Sequence, residues 1–227
     1  MFPAILGGHH GGRFRAPWHT CGVFHVRVSL PDRPGSLGAV ATALGRLGAD
    51  IAAVEIIEKV EGGSVINDFV LELPADVMPD SVITECAELE GVRVMWMSRV
   101  PANWGLESDL MALERMLAEP SLALQRLTED APRVFNAQWA LALGEQGTPL
   151  AATALAPELG PEQLSLLGPL DQPHASELAS GWMPSWADTA VAVAPASRQR
   201  VIILGRPGGP VFLESEVRRL HHLASMA

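Results

Sequence analysis

The sequence predicts an α+β protein of two modules, a βαββαβ unit over residues 23–99 followed by an antiparallel-sheet α+β unit over 113–227. Three observations predict it. Phe24, Val26, Val28 and Leu30 alternate with polar neighbours, and the pattern switches to helical spacing by Leu37. Pro101-Ala102-Asn103-Trp104-Gly105 has the composition of a domain boundary. Beyond it lie two pairs of short apolar strands and a closing amphipathic helix.

In the first module the opening strand is stopped by Pro31. Asp32 can accept from nearby amides, Pro34 holds a helix-compatible φ, and Gly35 allows close backbone approach before Ser36 and Leu37 begin a helix. Leu37, Val40, Leu44 and Leu47 recur at helical spacing, and Gly48 is the expected C-terminal cap. Residues 51–60 and 65–73 read as strands around a Glu61-Gly62-Gly63 hairpin turn. A second helix is expected over 79–89 and a last strand over 92–97. Both helices should cover one sheet face. The strand at 51–60 is apolar on both sides, so another copy or the C-terminal module is expected to cover the other face. Asn67 and Asp68 point to opposite faces of their strand, which places at least one of them near an interface or pocket.

Composition limits the function. The chain has 227 residues, 48% of them hydrophobic, enough for two modest cores. Its 26 acidic and 16 basic residues give a net charge of -10, a field that repels nucleic-acid phosphates. Cys21 and Cys86 are too few for a disulfide framework, and no apolar run reaches membrane-spanning length. A cytoplasmic protein without membrane or nucleic-acid partners is expected. Residues 1–22 lack the basic and apolar regions of an export signal and read as a flexible extension. His9 and His10 lack a spaced third ligand, so no metal site is expected.

Asp32-Arg33-Pro34-Gly35-Ser36-Leu37, followed by Leu44, Leu47, Gly48 and Ile51, resembles the signature of the ACT domain, a small regulatory module of amino-acid metabolism. The one departure is Asp50, where the family has Asn. The resemblance spans roughly 23–99 and implies a ferredoxin-like fold that binds amino acids where the loop after the first strand meets a second subunit. It implies that Asp32 accepts from a ligand ammonium and that the amides around Arg33, Pro34, Gly35, Ser36 and Leu37 receive its carboxylate, with Asp50 and Ile51 completing the site. An ionised Asp50 only accepts, so it repels a ligand carboxylate that Asn could bind. The same loop residues also serve as turn formers without any ligand.

Residues 100–112 form a linker and helix start. Leu106, Leu110, Leu113, Met116 and Leu117 make one apolar stripe, and Leu122, Leu124 and Leu127 lead a second helix towards Phe135. Residues 139–143 and 150–155 read as one strand pair, 190–194 and 201–204 as another. Val217, Leu220, Leu223 and Ala224 mark a terminal helix, with Glu214 and Glu216 near its start complementing the dipole. Leu204-Gly205-Arg206, Phe212, Glu216, Leu220, Leu223 and Ala224 resemble the last strand and helix of a reduced GAF domain, a cytoplasmic sensor fold; residues 157–188 are short and Pro-rich for that family's ligand-enclosing segment. Trp182, Met183 and Trp186 line an apolar pocket or cover a small core. Gly205 to Pro210 reads as a turn, lacking the Lys-Ser/Thr ending of a phosphate loop. His174 has no catalytic neighbours in sequence, adjacent His221 and His222 point about 100° apart on their helix, and Cys86 reads as a buried thiol.

No nucleophile with an oriented base, no spaced metal set and no cleft-spanning carboxylate pair is evident. The expectation is a noncatalytic, cofactor-free sensor, homodimeric, that binds an amino acid or similar metabolite and alters its contacts with a protein partner. The alternative is a dimerisation adaptor that has lost the ligand.

Overall fold

The computed structural model describes residues 20–100, 106–197 and 199–227. The N-terminal extension up to residue 19, with His9 and His10, and the boundary at 101–105 lie outside the described residues.

The first module runs β1 (Thr20–Pro31), α1 (Ser36–Arg46), β2 (Asp50–Val60), β3 (Ser64–Pro74), α2 (Asp80–Ala87) and β4 (Arg93–Val100). The order is the expected βαββαβ. Strand β1 begins earlier than the predicted boundary at 23, because residues 20–22 already pair with β3 across an irregularity. The antiparallel sheet has the order β2-β3-β1-β4, so β2 and β4 are its edges.

Alternation decides the faces. Phe24, Val26, Val28 and Leu30 of β1 and Phe69, Leu71 and Leu73 of β3 pack with Val40, Leu44, Val82 and Cys86 of the two helices. Helix α1 starts without a side-chain cap: Gly35 occupies the cap position at φ 93, a left-handed conformation that costs glycine little, and Ser36 is the first helical residue rather than the cap.

The second module runs α3 (Leu106–Ala118), α4 (Ala123–Val134), β5 (Trp139–Leu143), β6 (Pro149–Ala152), α5 (Pro161–Leu166), β7 (His174–Leu178), β8 (Thr189–Ala196), β9 (Arg200–Pro207) and α6 (Glu214–Ser225). Its antiparallel sheet has the order β6-β5-β9-β8-β7. Helix α5 and strand β7 are elements that the Pro-rich reading of 157–188 did not resolve. Strand β6 is shorter than expected and leaves Leu155 60% exposed. Gly205, Arg206 and Pro207 belong to β9, so the turn expected there is confined to the residues that follow.

Strand β8 shows how composition selects faces. Ala190, Ala192 and Ala194 meet the helices with Leu124, Leu127, Leu220 and Leu223, small side chains that let the helices approach closely. Val191 and Val193 face the opposite core, which Trp139, Trp182, Leu167 and Leu178 fill. Trp139 stacks on Trp182 with centroids 6.4 Å apart, and Trp186 meets both at steep angles. Trp139 and Trp182 are core residues, and the half-buried Trp186 packs on them while lining a shallow surface pocket of about 270 Å³. Trp139 is accommodated because its cross-strand partner is Gly205, where any Cβ would overlap the indole.

Candidate functional site

The loop from β1 to α1 forms an exposed corner. Asp32, Arg33, Pro34 and Gly35 are exposed, Ser36 is buried and Leu37 half-buried. Several amides expected to meet a ligand are occupied: Asp32 donates to Gly63 O at 2.8 Å, Arg33 to Pro31 O at 2.9 Å and Ser36 to Arg33 O at 3.3 Å. The amides of Leu37 and Gly38, in the first turn of α1, have no backbone acceptor among the described residues. The Asp32 carboxylate accepts from Lys59 Nζ at 2.8 Å, an exposed ion pair across the sheet end.

Asp50 and Ile51 lie elsewhere. Pro31 pairs with Ser64 at one end of β3 while Asp50 pairs with Glu72 near the other, about 27 Å along the strand. Within one chain the two parts of the expected site are therefore apart. Asp50 is exposed, and Ile51 is half-buried against the helix-side core.

A second constellation lies mid-sheet, on the face that α1 and α2 leave open. His25 and Arg27 of β1, Asp68 of β3, and Trp96 and Ser98 of β4 meet the C-terminal end of α4, the end of β9 and the start of α6. Asp68 accepts from Arg27 Nε at 2.8 Å and Nη2 at 2.7 Å, and its Oδ2 lies 2.7 Å from His25 Nε2. Arg27 Nη1 donates to Glu216 Oε2 at 3.0 Å, and Glu216 Oε1 accepts from Arg206 Nη2 at 3.0 Å. Glu216 Oε2 also accepts from the Leu213 amide, fixing the first turn of α6. Arg206 donates to the carbonyls of Phe135 and Asn136 and stacks over Trp96 and Phe212. The expectation that the C-terminal module covers this face is met, and Asp68 sits in that interface while Asn67, on the other side of β3, is buried towards the helices.

Burial and charge compete throughout the network. For Asp68, burial pushes the carboxyl up, but hydrogen bonds from Arg27 and His25 and their charges bring it to about 2. For Glu216, burial again opposes ionisation, and the charges of Arg206 and Arg27, with the Arg27 and Leu213 hydrogen bonds, hold it below the usual carboxylate range. Burial would lower Arg27, but Asp68 and Glu216 raise it. Arg206 is lowered by burial despite Glu216. With every strong donor matched to an acceptor, this geometry suits a structural clamp.

Beside the clamp lies a cleft of about 520 Å³, lined by β2, β3 and the ends of α3, α4 and α6. Of its residues the sequence pointed only to Asp68 as near an interface or pocket; Asp109, Ser215 and Arg219 were missed because the lining converges from both modules.

Other candidates resolve structurally. His174 Nε2 lies 2.7 Å from Leu167 O, His221 Nδ1 lies 3.1 Å from Pro195 O, and Cys86 is fully buried with its thiol pushed up by burial and by Glu85. Among the described residues no group of three His, Cys, Asp or Glu is placed to hold a metal, and no helix is long and apolar enough to cross a membrane.

Residues 24–86 match the family model described as "ACT domain". No curated protein matches the chain. Solved structures resemble it distantly, two of them as follows. One is an unknown protein from Galdieria sulphuraria, 13% identical, covering 89% of this chain and 91% of that one with a TM-score of 0.28. The other is a formyltetrahydrofolate deformylase from Pseudomonas putida KT2440, also 13% identical, covering 75% and 77% with a TM-score of 0.30. At these scores neither carries an argument about function.

Proposed function

We propose that this chain is a noncatalytic regulatory protein whose N-terminal ACT domain, a small-molecule-binding module, senses an amino acid or related metabolite across a homodimer. The match over 24–86 establishes the module, and such modules regulate rather than catalyse. The observation that carries the finer reading is the open edge of β2. The sheet's outer face is occupied by its own C-terminal module, whereas β2 presents an unpaired edge with Val54 46% and Ile56 62% exposed. Antiparallel pairing of two β2 strands about Glu55 sets Asp50 opposite Val60 of the second copy, next to that copy's Lys59 and Asp32. The two halves of the site then meet. In this reading Asp32 takes the ligand ammonium and the Leu37 and Gly38 amides take its carboxylate. Asp50 disfavours a second carboxylate on the ligand.

The likeness of the second module to a GAF sensor rests on its helix-covered antiparallel sheet. Its other face is filled by tryptophans, so its role here is to transmit, through the clamp, a change at the first module to a protein partner. The sparse cysteines fit a cytoplasmic setting.

The Lys59–Asp32 pair favours a second reading, an adaptor in which lysine has taken the ammonium's place. A thermal-shift screen across the amino acids, with native mass spectrometry of the same samples, separates the two. A selective upward shift on a dimer supports the sensor; a flat screen on a dimer supports the adaptor, and a monomer at all concentrations removes both.

A further inference from the structure

The interdomain cleft sits mid-sheet beside the clamp, away from the β1 to α1 corner, and is lined on one side by Ala53, Ile57 and Val70 and on the other by Val134. Polar groups gather at its helical wall. Asp109 of α3 lies 3.3 Å from Arg219 Nε, longer than a well-made charged contact. Arg219 is held by the Val134 carbonyl at 3.0 Å and lies over the Phe135 ring, so its position is fixed independently of Asp109. The Ser215 hydroxyl, in the first turn of α6, is buried, lines the cleft and has no partner among the described residues. Glu55 brings a second carboxylate to the same space.

We propose that this cleft binds an apolar α-amino acid as its zwitterion, bridging the Asp109–Arg219 pair. The ammonium bonds to Asp109 with Glu55 nearby, the carboxylate takes Arg219 and the Ser215 hydroxyl, and the side chain lies on Ala53, Val70 and Val134. An α-amino acid carries its two charges on one carbon, which suits insertion into a stretched ion pair better than a lone amine or acid does. Burial and the Glu55 charge raise Asp109 despite Arg219, so a cation delivered there removes a standing electrostatic cost. The volume of about 520 Å³ lies within the range of small-molecule sites. The proposal is independent of the corner reading, since it uses neither Asp32 nor Asp50.

Calorimetry on the full chain tests it with three probes: L-leucine, isopentylamine, which lacks the carboxylate, and 4-methylpentanoate, which lacks the amine. The expected result is one L-leucine per chain, with each half-analogue weaker by about tenfold or more. Asp109→Asn and Ser215→Ala should each weaken L-leucine by about tenfold, while Asp32→Ala leaves it unchanged. Absence of L-leucine binding at millimolar concentration overturns the proposal, as does equal binding of either half-analogue or unchanged affinity in Ser215→Ala. Loss of binding in Asp32→Ala overturns it too, while upholding the corner site. Should Asp109→Asn not fold, the Ser215→Ala and analogue results decide the matter alone.

Discussion

Arg27 Nη1 donates to Glu216 Oε2 at 3.0 Å across 189 positions of sequence, joining the middle of β1 to the first turn of α6. Glu216 simultaneously holds Arg206, so one carboxylate bridges guanidiniums from both modules. Removing its charge leaves buried Arg206 with carbonyl acceptors and no carboxylate, and leaves Arg27 with Asp68 alone.

Glu216→Gln is therefore expected to destabilise the protein by roughly 3–5 kcal/mol, measured by chemical denaturation. An effect under about 1 kcal/mol would show that the clamp is solvated or dispensable.

Asp68 ties stability to acid. Its folded carboxyl, at about 2, is depressed below the unfolded value of about 3.9, so its contribution is fully present above the unfolded value and is lost as pH falls through the folded one. The contribution is on the order of 2 kcal/mol. Denaturation midpoints should fall between about pH 4 and pH 2, and Asp68→Asn should flatten that part of the profile.

Asp32→Ala separates binding from stability. The pair with Lys59 is exposed, so folding should change by less than about 1 kcal/mol. For an amino acid whose affinity is unchanged in Ser215→Ala, and which therefore binds outside the cleft, the induced rise in melting temperature should vanish. A retained rise with unchanged affinity would show that Asp32 does not contact the ligand.

Ile56→Lys places a charge on the β2 edge. Sedimentation of the natural chain should give a dimer of 24.2 kDa subunits, and the variant should shift to the monomer at the same concentration. A natural chain that sediments as a monomer throughout would reject pairing through β2.

Gly205→Ala forces a methyl group into the Trp139 indole. The expected loss is about 1–3 kcal/mol or more, read from thermal or denaturant unfolding, with altered tryptophan emission. Neutral stability would mean that the indole has room to move.

Local physics made much of this legible. The two-residue period from Phe24 to Leu30 defined β1 and its buried face, and the spacing of Leu37, Val40 and Leu44 defined α1. Trp139 to Leu143 was readable to its ends because an apolar run is bounded there by a glycine. Helix α5 and strand β7 were not, since Pro157 to Asp188 carries breakers at short intervals and its elements are held by packing against the tryptophan core. Asp68 could be suspected because its strand sends Asn67 and Asp68 to opposite sides, but nothing near Glu216 announces that its carboxylate leaves α6 for another module.

By itself the sequence determined the secondary-structure periods, the Asp32 to Leu37 corner and the identity of the first module, because these depend on residues close together in the chain. Only the tertiary structure decided that Asp32 and Asp50 stand at opposite sheet ends, that Glu216 clamps Arg27 to Arg206, and that a cleft opens between the modules. Those relations depend on strand order and on how one module docks against the other, and pairing between distant segments leaves no periodic trace in the chain that encodes it.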